Sequence, residues 1–252
     1  MQNVTASGFS HDPKVIALAI LFGLIPSVLW LIFWLREDKD GNKEPLGLIL
    51  FTFIAGMLSV VCVLPVERIL SAFTSNNTQL IILWSLAEEL FKYGAFALIM
   101  SSNSHLDEPV DYPIYLMTAA LGFAALENIM YLIKPLSVST ATVSFLTGHL
   151  RFLGSTLLHS VASGIIGISI GLAFFKSSGT RTLYTFIGIV GAVTLHSLFN
   201  FFIIQNSGKN FLQIFGFLWV ITIIIMLLFE KLRRMSRYVN QESDDTALNS
   251  QT

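Results

Sequence analysis

Residues 79–100 read QLIILWSLAEELFKYGAFALIM, an apolar run interrupted at its centre by Glu88, Glu89 and Lys92. A bilayer span needs about 17–25 mostly apolar residues, so the length is right. A charge at the bilayer centre costs about 2.5–3.5 kcal/mol on insertion scales, so the three charges must face protein or enclosed water. The rest of the chain supports this. Six further apolar runs, Val15 to Leu35, Leu46 to Val66, Pro113 to Ile133, His149 to Phe175, Thr182 to Gln205 and Phe211 to Phe229, have spanning length. The chain therefore reads as all-α, a polytopic membrane protein of about seven transmembrane helices around a central polar cavity.

Composition agrees. Of 252 residues, 54% are hydrophobic and 12% charged, against about 25% charged in soluble domains. Too little polar surface exists to cover a soluble globule, and the lipid bilayer is the expected solvent. A net charge of −1 offers no basic patch for phosphates, which excludes nucleic acid as a partner. Cys62, the one cysteine, reads as a small apolar packing residue. The first run is too long for a signal peptide, and a charged loop, Arg36 to Glu44, follows it rather than a small-residue cleavage site. Residues 1–230 form one transmembrane domain, and 231–252 a polar cytoplasmic tail expected to be disordered. Asn-x-Ser/Thr matches at Asn3 and Asn76 read as chance.

Lys and Arg outside the spans set the orientation. Lys14, Arg68, Lys134 and Lys209 fall on the N-terminal side. Arg36, Lys39, Lys43, Lys176, Arg181, Lys231, Arg233, Arg234 and Arg237 fall on the other. The N-terminus is expected outside and the C-terminus in the cytoplasm. The loop from Ser101 to Tyr112, placed in the cytoplasm, carries no Lys or Arg. Its His105, Asp107, Glu108 and Asp111 read as a solvated loop rather than a cation site.

Other spans carry polar residues too: Glu127 in the fourth, Arg151 and His159 in the fifth, His196 and Asn200 in the sixth. Lys92 lies at i+4 from Glu88 and i+3 from Glu89, within reach of either. Glu88 and Glu89, about 100° apart around the axis, are expected to point different ways. Depth groups the set further. Counted from the outer ends at 1.5 Å rise per residue, Glu88, His159 and His196 sit about 14–15 Å deep and Glu127 about 9 Å. Asn200 is shallower, about 8 Å, and Lys92 deeper, about 20 Å. Groups with independent structural roles have no reason to share a layer.

Glu with His is an inventory for activating water: a carboxylate takes the proton while His or Asn stabilises the oxyanion. The set Glu88, Glu127, His159 and His196 also suits zinc with an open position. The His-Glu-x-x-His signature is missing, so zinc is allowed but not demanded.

The sequence Glu88-Glu89-Leu90-Phe91-Lys92 resembles the Glu-Glu-x-x-Lys motif of the PrsW family. Phe123 to Tyr131, with Glu127-Asn128, resembles its Phe-x-x-x-Glu-Asn-x-x-Tyr block. Arg151 with His159 resembles a third, and His196 with Asn200 the last, His-x-x-x-Asn. The resemblance runs in order over about 45% of the chain. PrsW proteins are similar to type II CAAX prenyl endopeptidases and bacteriocin-processing relatives, which show Glu-Glu-x-x-x-Arg, Phe-x-x-x-His and His-x-x-x-Asn. Here Lys92 is one residue closer than their Arg and Glu127 replaces their first His, which favours PrsW. The resemblance implies an intramembrane protease acting on a membrane-anchored protein such as an anti-sigma factor. It implies that the Glu pair activates water and that Glu127, His159, His196 and Asn200 complete the site. Lys92, Asn128, Tyr131 and Arg151 are then supporting residues.

Other readings of the same residues stay open. Intramembrane Glu and His also build proton relays, so a proton-coupled transporter or channel is the alternative. A non-catalytic scaffold or sensor is a third. Arg151, near the interface, reads as a snorkelling residue, and Tyr131 and Phe123 as cavity wall. Gly164, Gly167 and Gly171, with Ser160 and Ser163, read as close helix packing.

Overall fold

A computed structural model of the chain describes residues 12–37, 43–101, 105–138, 141–205 and 211–249; the side chains of 134–153, 204–205, 211 and 237–249 fall outside that description. Seven helices follow one another: α1 (Pro13–Glu37), α2 (Leu46–Phe73), α3 (Asn77–Met100), α4 (Asp111–Val138), α5 (Ala141–Leu172), α6 (Ser178–Gln205) and α7 (Phe211–Asn249). No strand occurs among the described residues. All-helical spanning is what a bilayer demands, because lipid offers no partner for backbone N–H and C=O groups.

Six of the seven are long and apolar enough to cross a membrane, and α3 is the exception. It has the length, 24 residues. Its three central charges are what set it apart, and all three are buried inside the bundle. The protein is an integral, multi-pass membrane protein. Asn76, noted above only as part of a chance Asn-x-Thr match, caps α3 by accepting hydrogen bonds from the N–H groups of Thr78 (3.0 Å) and Gln79 (3.2 Å).

The centre of the bundle is α4, which packs against α1, α2, α3 and α5. Ile114, Tyr115, Leu116, Met117 and Leu121 along it are essentially inaccessible. Its approach to α2 is backbone to backbone. A Cβ on Gly56 would lie 1.9 Å from the Ala119 carbonyl oxygen, and one on Gly122 2.0 Å from that of Phe53. Only glycine permits this. Gly167 does the same for α5 against the Pro113 backbone, as its small-residue stripe suggests.

Three expectations are corrected. Cys62 does not pack inside; it is exposed on α2. The segment from Ser101 to Tyr112 is not simply solvated, since Glu108 and Asp111 are each only 2% exposed. Asp111 turns the chain into α4 by accepting from the Glu108 N–H at 2.6 Å. It also hydrogen-bonds the Glu44 carboxyl, to which the Tyr115 hydroxyl donates. Charge count alone could not show that Glu44, 67 residues away in the α1–α2 connection, would meet this loop. Finally, α2 runs past Val66 to Phe73. α7 is helical to Asn249.

Candidate active site

The four central helices α3, α4, α5 and α6 deliver their polar residues to one place. Glu88 and Glu89 come from α3, Glu127 from α4, His159 from α5 and His196 from α6. All but Glu127 are buried; its side chain is 40% exposed, against 9% for Glu88, 2% for each His and 0% for Glu89 and Lys92. The cluster thus opens past Glu127.

Each imidazole is held at one nitrogen by a carboxylate. His196 Nδ1 lies 2.8 Å from Glu89 Oε1, and His159 Nε2 lies 2.9 Å from Glu127 Oε2. The opposite nitrogens converge on Glu88: His196 Nε2 at 3.7 Å and His159 Nδ1 at 4.0 Å from Glu88 Oε2. That oxygen is buried and has no hydrogen-bond partner. The two rings stand edge to face with centroids 5.0 Å apart. The shared layer read from residue depths is therefore a real meeting point.

Glu88 and Glu89 do not diverge as their 100° separation suggests. Both reach His196, one at each ring nitrogen, so the imidazole spans the angle between them. Glu89 is engaged at both oxygens: Oε1 also receives Lys92 Nζ at 2.6 Å, and Oε2 receives Ser163 Oγ at 2.9 Å. Lys92 was expected one turn too deep. Its side chain leans toward the helix N-terminus, as helical side chains do, and returns to the layer. Nζ reaches within 2.7 Å of His159 Nδ1 and 4.6 Å of the Phe123 ring centre.

The remaining expected residues divide. Asn128 is buried and ties α4 to α5 through Thr156 Oγ1 at 3.0 Å. Phe123 is buried with its ring centre 5.3 Å from that of His159. Tyr131 is 49% exposed. Asn200, four residues beyond His196, is half-buried and makes no hydrogen bond to the cluster among the described residues. The side chain of Arg151 lies outside the described residues.

Sequence reading missed three contributors. Ser155 and Ser163 flank His159 at i−4 and i+4, and that stripe was the available signal. Ser163 fixes Glu89, and Ser155 lies 3.5 Å from Glu127 Oε2. The third is Glu67 of α2, close enough for its charge to act on Glu88, Glu127 and Lys92. Ending the second span at Val66 had put it in a loop.

Glu88, His159 and His196 each offer one ligand atom, all within 4.8 Å of one another. Two His and one carboxylate form a donor set typical of catalytic zinc. The carboxylate behind each imidazole is the usual outer support of a metal-ligating His. The orphaned Glu88 Oε2 is the atom such an ion would satisfy. The residues fit a divalent metal, provided Lys92 Nζ withdraws from His159 and keeps its Glu89 partner.

Helices of spanning length closed around buried Glu and His define a class, the polytopic membrane proteins with a hydrolytic type of site inside the bilayer. The particular family follows from comparison. Residues 44–229 match the family described as PrsW family intramembrane metalloprotease, and the chain belongs to it; it is an intramembrane protease. It is 26% identical to Protease PrsW of Bacillus subtilis (strain 168) over 202 residues, 78% of this chain and 88% of the relative. It is 28% identical to Protease PrsW of Geobacillus kaustophilus (strain HTA426), covering 73% of this chain and 79% of the relative. For Protease PrsW of Clostridioides difficile (strain 630) the figures are 26% identity, 87% and 91%. No solved structure shows significant similarity. The transporter or channel alternative gains no support from any of these.

Proposed function

We propose that this protein cuts a peptide bond of a membrane-anchored protein with water activated in the pocket between Glu88, His159 and His196. The observation that carries the reading is Glu88 Oε2, buried, without a hydrogen bond and faced by one nitrogen of each imidazole. Lys92 Nζ, 3.9 Å away, is too far to hydrogen-bond it, and a buried oxygen without a hydrogen bond is costly unless something polar fills the gap.

Glu88, His159 and His196 would hold a divalent metal. When bound, such an ion polarises a carbonyl and lowers the pKa of water. The proton leaving water then needs an acceptor outside that set. Glu89 does not qualify, because both of its oxygens are engaged. Glu127 does: Oε2 takes His159 Nε2, while Oε1 takes no hydrogen bond among the described residues and the side chain faces the opening. Glu127 accepts the proton at Oε1 and returns it to the leaving amine. Glu89 and Glu127 keep each imidazole's ring nitrogens in their roles. Lys92 balances Glu89, and the apolar walls around Phe123 exclude bulk water. Residues 1–230 act as the protease domain, with the pocket nearer the outer side; a regulator resembling an anti-sigma factor is the fitting substrate class.

The test is cleavage of single-span fusion reporters by the purified protein, with and without a chelator. Cleavage is expected to stop with chelator, and to stop in the Glu88→Gln/His196→Ala double variant while that variant still inserts and folds. Undiminished cleavage by the double variant overturns the reading.

A further inference from the structure

Glu67 has no place in the chemistry above, yet it stands beside it. Val60 and Val63 of α2 pack against Ala87 and Phe123. Glu67 follows at i+4 from Val63 and i+7 from Val60, on the same face. The Glu67 carbonyl accepts the Trp84 indole N–H at 3.2 Å. Trp84 is one turn before Glu88, toward the N-terminal end of α3. Glu67, half-buried, is thereby tied to the turn of α3 that precedes Glu88, close enough to Glu127 for the two charges to act on each other.

Charge makes this position unusual. Four carboxylates, Glu67, Glu88, Glu89 and Glu127, act on one another here, with Lys92 the one ammonium named among them. Lys92 is committed to Glu89 at 2.6 Å. Among the described residues Glu67 forms no ion pair, and Arg68, next along the helix, is exposed and turned about 100° away. A partly buried carboxylate at a membrane-embedded opening is costly without a cation. Among the described residues Lys92 is the one ammonium acting on these carboxylates, and a substrate passing the opening can bring a second cation. The residues just outside a substrate's span are the part that passes such an opening, and a Lys or Arg among them would meet Glu67.

Resting on the protease reading above, we propose that Glu67 is a specificity-determining residue which docks a cationic side chain, Lys or Arg, of the substrate segment entering past Glu127.

The test uses the full chain in lipid nanodiscs and single-span peptides identical except for Lys, Gln or Glu at one juxtamembrane position. Affinity is measured on the Glu88→Gln variant, which is expected to hold peptide without cutting it, and turnover on the unsubstituted protein. With Glu67 present, the Lys peptide is expected to bind about tenfold more tightly than the Gln peptide, as for one close charge pair at an interface. Adding Glu67→Gln removes the difference, and Glu67→Lys reverses it in favour of the Glu peptide. In turnover the loss appears in KM rather than kcat. Equal binding of Lys and Gln peptides with Glu67 in place, or a Lys preference surviving Glu67→Gln, overturns the proposal. A Lys preference that depends on Glu67, with no cleavage by the unsubstituted protein, would sink the protease reading and leave the docking role standing.

Discussion

Glu89 Oε1 lies 2.8 Å from His196 Nδ1, and that single contact aims His196 Nε2 at Glu88. The motif's two glutamates therefore divide the work. Glu89 is fully enclosed and sets the geometry; Glu88 presents the open oxygen.

From this follows an asymmetry between the two amide substitutions. Glu88→Gln removes a proposed ligand atom and is expected to abolish bound metal together with cleavage. Glu89→Gln keeps the ligand atoms but loosens the His196 ring, and is expected to weaken metal affinity about 10–100-fold. Metal titration of the purified variants, read by elemental analysis after dialysis, distinguishes them. Equal metal loss in both would remove the division of roles.

Glu127→Gln makes a third pattern. The amide can still accept at its oxygen from His159 Nε2, but it cannot take up a proton. Metal is expected to stay bound in this variant, with affinity lowered no more than in Glu89→Gln, while turnover falls by about 10²–10⁴, the usual worth of a general base. Turnover close to the unsubstituted rate would assign the proton to another group.

How far the sequence showed this in advance depended on where the signal lay. Glu88, Glu127, His159 and His196 were legible because each is out of place in an apolar span, and alternating helix direction converts sequence position into depth. What sequence could not show was orientation at the level of single atoms. Asn200 shares a helical face with His196, but it lies a full turn away and makes no hydrogen bond to the cluster among the described residues. Glu67 was lost through a boundary error of seven residues, since a polar residue after an apolar run looks like loop. Glu44 and Asp111 needed a contact between two connections that no local pattern encodes.

Lys92 is wholly enclosed and pairs with Glu89 at 2.6 Å. Lys92→Met leaves that carboxylate without its cation, and breaking a buried pair from one side costs about 3–5 kcal/mol. The variant is expected to melt well below the unsubstituted protein in chelator. Added divalent metal should restore part of the loss, because a bound cation then supplies charge nearby. A melting temperature insensitive to both changes would show that the pair contributes nothing.

At the α2–α4 crossing a side chain has nowhere to go. Gly122→Leu would set Cβ 2.0 Å from the Phe53 carbonyl oxygen, and backbone cannot step aside as a side-chain tip can. Overpacking costs about 1–3 kcal/mol in ordinary cores, and this site is expected at or above the upper figure. Gly47→Leu, where no atom lies within 4 Å, serves as the control. Thermal unfolding in detergent should separate the two; matching midpoints would mean that the helices do not cross this closely.

Orientation in the membrane is open to a direct measurement. Nine Lys and Arg on the C-terminal side against four on the other predict the N-terminus outside and the C-terminus in the cytoplasm. Epitope tags at the two ends of the chain, probed with protease on intact and opened cells, should show the N-terminal tag accessible from outside and the C-terminal tag protected. This arrangement puts the N-terminal end of α3, and with it the opening past Glu127 and Glu67, on the outer side. The reverse tagging pattern would send the substrate in from the cytoplasm instead, where a different set of membrane-anchored proteins presents its juxtamembrane residues.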